Sequence, residues 1–459
     1  MRSYKESGSG RRVVIVGGGM AGTRLAQQLA ATAADGSVEV TIIGEEPHPA
    51  YNRVLLAEVL AGRYAPDVIA LPGLAVGRRL SGVRVVRLDR DPGEVVCDDG
   101  RRVPYDALVL ATGSNPVLPP LRGLFEPHGH DLPDGVHAFR TMDDCLALGA
   151  AIRPGVRAVV IGGGLLGVSA ARALAQRGAQ VVLAHQGEHL MERQLDTGAA
   201  AMLRRHVAAL GVEVHTECRV RGLRTRPVSA SGGGRAVRAV AAVELADGYA
   251  LDADLVILAC GARPRVGLAH AAGLAVARGV VVDDQLRTSD PRIFAIGDCA
   301  EHAGILYGLA GPAQDQADVL AHVVGNRSAE GAPPSGSWGR NGWAQPDHRA
   351  AHGSDTGPRY AGSRTLTRLT LAAASTAAAS PLDLAAFGET TPAPGDDVVH
   401  LADATRNAYR KVVVRGDRLV GGILLGDLGS VGALARTWEG DEPLPSAPLL
   451  HLLTNDGGS

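Results

Sequence analysis

The sequence predicts an α/β fold in which two parallel-sheet, three-layer units are followed by a small α+β domain. Three observations carry this. An apolar, β-branched run from Arg12 to Val16 leads into Gly17-x-Gly19-x-x-Gly22 and a helix-like stretch. The same order recurs from Arg157 to Ile161, followed by Gly162-x-Gly164-x-x-Gly167. Each unit then closes on an apolar strand ending in a small-residue turn, Leu110-Ala111-Thr112-Gly113 in the first and Leu258-Ala259-Cys260-Gly261 in the second, which indicates an internal duplication.

The 459-residue chain is long for one domain and suits two or three, with 46% apolar residues to fill real cores. Aromatic residues make up only 3%, so those cores are aliphatic and rich in alanine. A net charge of -2 gives no electrostatic case for nucleic acid or an acidic membrane surface. Cys97, Cys145, Cys218, Cys260 and Cys299 are far apart and form no C-x-x-C, so no local zinc or iron–sulfur cluster is expected. Residues 1–10 lack the apolar stretch of a secretory signal, and no run approaches the roughly 18 apolar residues of a membrane span. The expected location is the cytoplasm.

In the first unit the three glycines have separate tasks. Gly17 permits the turn, Gly19 lets backbone approach a pyrophosphate, and Gly22 lets the following helix (Leu25, Ala26, Leu29, Ala30) pack on the strand. The helix N-terminus favours phosphate charge. The next strand, Val38 to Ile43, ends at Gly44-Glu45, where a carboxylate can accept hydrogen bonds from an adenosine ribose. This is the Rossmann-like order of a dinucleotide-binding domain. Pro49 to Leu56 reads as a loop or helix start, with Arg53 just after the aromatic Tyr51. Residues 83–110 alternate as strands, turn at Asp98-Asp99-Gly100, and end in Ala111-Thr112-Gly113, where the chain can leave the sheet beside a ligand.

In the second unit a helix runs from Val168 to Gln176 and a strand from Gln180 to Ala184. Two such units imply two nucleotides, the arrangement expected when one passes electrons to the other. The second strand ends on His185, not on an acid. An acid there would select NAD and an arginine would favour the 2′-phosphate of NADP, so the choice between NADH and NADPH stays open. Further strand-like pieces over residues 213–260 are interrupted by Ser229-Ala230-Ser231-Gly232-Gly233-Gly234.

The run from Val280 to Ala300 delivers Gly297-Asp298, which puts a carboxylate at a sheet edge where it can bind a polyol such as a ribityl chain. Pro312 then sits in the first turn of a helix covering Gln314 to Val324, whose positive end can stabilise negative charge on a reduced flavin ring. Residues 328–358 shift to Gly, Pro, Ser, Asn and Asp and read as a linker or long loop. Beyond them the clearest strands are Tyr409 to Val414 and Leu419 to Asp427, joined as a hairpin by Arg415-Gly416-Asp417-Arg418. The segment Ala372 to Ser380 is low in complexity and has no assignment.

This order resembles the two-dinucleotide flavoprotein reductases of the pyridine nucleotide–disulfide oxidoreductase superfamily over about residues 11–325. Within them it is similar to the flavoprotein portion of assimilatory NAD(P)H nitrite reductases and to the electron-transfer subunits of nitrate reductase. The finer likeness rests on Tyr51-Asn52-Arg53-Val54-Leu55-Leu56-Ala57-Glu58-Val59-Leu60-Ala61-Gly62, on His189-Leu190-Met191-Glu192-Arg193-Gln194-Leu195-Asp196, and on Gly297-Asp298-Cys299-Ala300-Glu301-His302.

The resemblance implies a discontinuous FAD-binding domain of residues 11–120 and 263–327, an inserted NAD(P)H-binding domain of residues 121–262, and a C-terminal interface domain of residues 359–453. It assigns to FAD the residues Gly17, Gly19, Met20, Ala21, Gly22, Glu45, Arg53, Val86, Ala111, Thr112, Gly113, Arg140 and Asp298. To NAD(P)H it assigns Gly162, Gly164, Leu165, Gly167, His185 and Gly261.

Disulfide-reducing relatives carry a cysteine pair beside the flavin, and others a single redox cysteine, yet residues 45–64 contain none. Thiol chemistry is therefore not expected. Cys97, Cys145, Cys218 and Cys260 read as small apolar residues, and Cys299 as a neighbour of the flavin at most. Neither a catalytic side chain nor a metal ligand is implied.

The expected function is that of an FAD-dependent NAD(P)H oxidoreductase passing electrons to a separate redox partner, a nitrite or nitrate reductase component. The alternatives are a rubredoxin or ferredoxin reductase, a flavin NAD(P)H oxidase, and a non-catalytic FAD-binding redox-sensing subunit. A homodimer is compatible with all of them. Nitrite reductases of this type continue into cysteine-rich iron–sulfur and sirohaem regions, so a chain ending at Ser459 is expected to need such a component beside it.

Overall fold

The computed structural model describes residues 10–32, 37–74, 77–228, 237–325, 358–372, 381–403, 405–444 and 453. They fall into two compact units. The described residues of Met1–Tyr51, Leu71–Ser114 and Pro264–Ser363 form the first, and those of Asn52–Ala70, Asn115–Arg263 and Arg364–Ser459 the second. The expected linker, residues 328–358, lies outside the described residues except for Pro358, and so do residues 373–380 of the alanine-rich stretch.

The first unit is built on a five-stranded parallel sheet in the order Ile293–Ala295, Ala107–Leu110, Arg11–Val16, Val38–Gly44, Arg78–Ser81. Its inner strands read as unbroken apolar runs because both of their faces are covered. Val13, Ile15, Ile42, Leu108 and Phe294 are sealed in one core with Leu25 and Leu29 of helix Met20–Thr32 and Leu320 of helix Ala310–Gly325. The two helices are tied to each other by the Arg24 guanidinium, which grips both carboxylate oxygens of Asp318 at 2.7 and 3.0 Å. An antiparallel trio, Val85–Asp89, Glu94–Cys97 and Arg102–Pro104, adds Val85, Leu88 and Val95 to the same core.

The second unit repeats the plan. Its parallel sheet runs Val212–His215, Gln180–Ala184, Arg157–Ile161, Leu255–Leu258, Val136–Ala138. In both sheets the strand before the glycine turn is central, the next two strands lie on one side, and the strand ending in the small-residue turn lies on the other. The outermost strand on that side comes from late in the chain in the first unit and from early in it in the second, so the duplication is one of architecture with the edge strand recruited differently.

Antiparallel strands Val220–Val228, Val237–Leu245 and Ala250–Asp252 close over the second sheet through Leu223, Val240 and Val243. The same unit carries a five-stranded antiparallel sheet in the order Leu366–Leu371, Leu382–Gly388, Arg418–Leu425, Ala408–Arg415, Asp397–Asp403, with helix Val431–Gly440 packed on it through Leu434 and Trp438. The hairpin expected at residues 415–418 is present, with Arg415 paired to Arg418 across Gly416 at φ +62°. Among the described residues no helix is long and apolar enough to cross a membrane.

Candidate functional site

The two glycine turns share one stereochemistry. Gly17 adopts φ +123° and lies so close to the end of strand Ala107–Leu110 that a Cβ on it would stand 2.0 Å from the Ala111 carbonyl oxygen. Gly162 adopts φ +115°, and its Cβ would stand 2.4 Å from the Ala259 carbonyl oxygen. A side chain fails at both positions for two reasons, the left-handed backbone and the facing carbonyl. Gly22 and Gly167 are excluded from change by the turn itself: a Cβ would lie 2.2 Å from the Gly17 oxygen and 1.8 Å from the Gly162 oxygen.

The middle glycines differ. Around Gly19 and Gly164 nothing lies within 4 Å of where a Cβ would be. Packing thus demands the outer two glycines, while the middle one borders open space at a helix N-terminus, which is the cradle a pyrophosphate requires. Met20 and Ala21 open helix Met20–Thr32, and Leu165 opens helix Leu165–Gln176. The residues present therefore fit a dinucleotide at each turn.

Around the first turn the structure gathers most of the residues expected there. Glu45 stands just past strand Val38–Gly44 and pairs with Arg265, with Arg84 Nε 3.4 Å away. Arg79, on strand Arg78–Ser81, donates from Nη2 to the Gly18 carbonyl at 3.2 Å, and burial lowers its pKa. Thr112 Oγ1 donates to the Arg265 carbonyl at 2.9 Å, and Gly113 at φ +70° borders open space. Asp298 lies in the short 3-10 turn Gly297–Cys299 after strand Ile293–Ala295, and its Oδ2 accepts from the Ser114 hydroxyl at 2.8 Å. The Gly297 N–H is held by Gln316 Oε1 at 2.7 Å, which fixes the turn to helix Ala310–Gly325. Cys299 is fully enclosed, its thiol facing the Leu110 and Ile296 carbonyls at 3.3 Å, and burial pushes its pKa up.

The second turn is finished by the segment Met191-Glu192-Arg193-Gln194-Leu195-Asp196. The Met191 N–H donates to the Gly163 carbonyl at 2.9 Å from a left-handed backbone at φ +55°. His185 Nδ1 accepts from the Gly163 N–H at 3.1 Å. Burial lowers the pKa of this imidazole against the opposing charge of Glu192, which favours the neutral ring, and with Nδ1 accepting, the neutral ring's proton belongs on Nε2. That nitrogen has no hydrogen-bond partner among the described residues and lies 3.9 Å from Glu192 Oε2. Asp196 ends the segment as the N-cap of helix Thr197–Ala209. Gly261 adopts φ +107°, with open space beside it and its carbonyl bonded to the Val117 N–H at 2.9 Å.

Three of the expected residues are not among these. Arg53 and Arg140 both belong to the second unit, where the Arg53 guanidinium donates to the Arg140 carbonyl. Val86 is on antiparallel strand Val85–Asp89 with about half of its surface exposed. Sequence reasoning passed over Arg79, Ser114, Arg265 and Glu192, whose roles depend on strand ends brought together by folding. Ser114 alone had a local signal, standing directly after Ala111-Thr112-Gly113.

Residues 11–317 match the pyridine nucleotide-disulphide oxidoreductase family, and residues 378–437 match the rubredoxin NAD+ reductase C-terminal domain. Nitrite reductase [NAD(P)H] of Bacillus subtilis is 33% identical over 91% of this chain and 46% of its own length. The assimilatory nitrate reductase electron transfer subunit of the same organism is 37% identical over 71% of this chain and 41% of its own length. The chain therefore spans less than half of either relative. The crystal structure of the covalent putidaredoxin reductase–putidaredoxin complex superposes with a TM-score of 0.75 over 96% of this chain and 98% of that one, and at 23% identity that likeness concerns the fold. With two glycine turns of matching stereochemistry and a family match over most of its length, the chain belongs to the pyridine nucleotide-disulphide oxidoreductase family and is an FAD-dependent oxidoreductase that uses NAD(P)H.

Proposed function

We propose that this chain takes electrons from NAD(P)H through FAD and delivers them to a separate redox protein, the catalytic component of a nitrite or nitrate reductase. The observation that carries the reading is the paired turn: Gly17, Gly19 and Gly22 in one unit and Gly162, Gly164 and Gly167 in the other meet the same steric demands in a chain of which 91% aligns with an NAD(P)H nitrite reductase. FAD when bound supplies the group that accepts a hydride and releases its electrons onward.

The chain's own residues bind and orient. Gly19, with open space beside it, would admit a pyrophosphate, Glu45 paired with Arg265 would take the adenosine ribose, and Asp298, hydrogen-bonded by Ser114, would take a polyol. Helix Ala310–Gly325, opening with Pro312 in its first turn, offers a positive N-terminus to a reduced ring. No side-chain proton donor is assigned to the hydride step. The reading places the protein in the cytoplasm, and a homodimer is compatible with it.

A second reading has a specific observation behind it. The match of residues 378–437 to the rubredoxin NAD+ reductase C-terminal domain favours a small iron–sulfur carrier as acceptor. Anaerobic mixing with NADH or NADPH should bleach the flavin absorbance within seconds, and flavin that stays oxidised with both removes the proposal. Saturable turnover with a nitrite or nitrate reductase component, and not with a ferredoxin or rubredoxin, supports the first acceptor. Rapid peroxide formation with no protein acceptor identifies an oxidase instead.

A further inference from the structure

The strand that ordinarily ends in the acid that reads the adenosine ribose ends here in His185, yet a carboxylate still arrives at that place. It comes from Glu192, on the segment folded back over the second glycine turn. Three contacts put it there. Met191 is bonded to the Gly163 carbonyl at 2.9 Å, and Leu190 fills the space beside Gly163, where a Cβ would meet its Cδ2 at 2.7 Å. Glu192 Oε1 accepts the Glu188 N–H at 2.9 Å. The Glu192 carboxylate lies against Gly187, 2.2–2.5 Å from where a Cβ would be.

The geometry points to Glu192 as the residue that accepts the ribose 2′-hydroxyl of the nicotinamide nucleotide and makes the second turn choose NADH over NADPH. A nucleotide seated on Gly162–Gly167 has its ribose at the carboxyl end of the neighbouring strand, here Gln180–Ala184, and this carboxylate lies just past that end. One of its oxygens is engaged by the backbone of Glu188. The other faces the Nε2 of His185, and the side chain is 44% exposed, so a hydroxyl can reach it. A 2′-hydroxyl donates to a carboxylate. A 2′-phosphate brings charge of the same sign and no proton to share.

His185 cannot reverse the choice, since its side chain is largely buried and its Nδ1 already accepts the Gly163 N–H. Arg193 and Arg219, exposed on the neighbouring backbone, are the groups that would favour the phosphate if they rather than Glu192 governed the site.

This inference rests on the reading that the second turn holds NAD(P)H, and the test separates the two. Calorimetric titration of the FAD-loaded protein with NAD+ and NADP+ is expected to give a wild-type preference for NAD+ of about tenfold to a hundredfold, the range of one hydrogen bond to a charged group. Glu192→Gln keeps an acceptor for the Glu188 N–H but removes the charge, and is expected to cut that preference at least fivefold while flavin content and thermal midpoint stay at wild-type values. Glu188→Gln, a neighbouring charge outside the contact, should leave the preference unchanged.

A wild-type protein that binds NADP+ as tightly as NAD+ or more tightly overturns the inference with no variant needed. An unchanged ratio in Glu192→Gln overturns it as well. Absence of binding by either nucleotide removes the second-turn assignment together with the inference. Binding without flavin reduction removes only the proposed function.

Discussion

The buried guanidinium of Arg172 donates to the carboxylate of Glu58, joining helix Leu165–Gln176, which rises from the second glycine turn, to helix Leu56–Leu60. Arg172 is 1% exposed, and Gln176 Oε1 takes a further Nη1 bond at 3.2 Å. Glu58 also receives Arg63 Nη1 at 3.0 Å from the solvent side. A charge this deep in an alanine-rich helix is tolerable because its counter-charge and the bonds to Nη1 and Nη2 are in place, while Nε has no partner among the described residues.

Removing one partner should therefore cost more than removing both. Glu58→Gln is expected to destabilise the second unit by about 3 kcal/mol, because it leaves the Arg172 charge buried and uncompensated. The pair Glu58→Leu with Arg172→Met should recover much of that loss. Denaturant midpoints of Glu58→Leu, Arg172→Met and the double variant, measured beside wild type, give the coupling directly. A double variant no more stable than Glu58→Gln would contradict this account.

The glycine turns make a contrast that can be measured position by position. Gly22→Ala and Gly167→Ala drive a methyl into a backbone carbonyl and should cost about 1–3 kcal/mol even without cofactor. Gly19→Ala and Gly164→Ala meet nothing in the protein, so their cofactor-free stability should match wild type. Their loss appears in binding: Gly19→Ala should purify with little flavin, and Gly164→Ala should keep its flavin while weakening NAD(P)H at least tenfold. Equal flavin occupancy in Gly19→Ala and wild type would show that no pyrophosphate approaches there.

What could be read beforehand follows the range of the interaction. The outer glycines were legible because each answers a local demand, a left-handed backbone or a carbonyl a few residues away. The strands Arg157–Ile161 and Gln180–Ala184 were legible because burial on both faces writes a continuous apolar run. Arg265 at Glu45 was not, since the two residues meet only after an entire unit has been inserted between them. Glu192 was not either: the sequence showed a histidine at the strand end, and the carboxylate reaches it through the left-handed Met191, a conformation no local pattern announces. An arginine within Leu165–Gln176 likewise gives no sign that it is among the most buried side chains of the protein.

Asp196 offers a pH-dependent test of how the antiparallel sheet is held within the second unit. Its oxygens accept the Tyr409 hydroxyl and Lys411 Nζ at 2.8 Å, and it caps the Ala199 N–H at 3.0 Å. Burial raises the pKa of this carboxyl, but the bonds from Ala199, Lys411 and Tyr409 more than offset it, and the folded value lies below the ordinary one. A carboxylate of that kind contributes its stability in full above its unfolded pKa, near 4, and loses it as pH falls through the lower folded value. Asp196→Asn should thus be less stable than wild type by about 1–3 kcal/mol at pH 7. The gap should narrow below about pH 4 as the wild-type carboxyl takes up its proton. A difference that stays constant from pH 7 to pH 3 would remove the ionised carboxylate from the account.

The family's name includes disulphide chemistry, and burial of the thiols of this chain argues against their taking part in it. All five cysteines are free, Cys97, Cys145 and Cys299 among them buried. Burial pushes Cys145 and Cys260 up to about 11 and raises Cys97, Cys218 and Cys299 as well. At pH 7.5 a thiol with a pKa near 11 is ionised in fewer than about one molecule in a thousand, and the thiolate is the reactive form. Cys299→Ser keeps a donor for the Leu110 and Ile296 carbonyls and should retain flavin and NAD(P)H-dependent reduction within about twofold of wild type. Anaerobic reduction with excess NADH should leave the titre of free thiols in the unfolded protein unchanged, because no disulfide is there to be opened. A rise in that titre on reduction, or loss of flavin reduction in Cys299→Ser with the flavin still bound, would show a thiol relay between the ring and the acceptor.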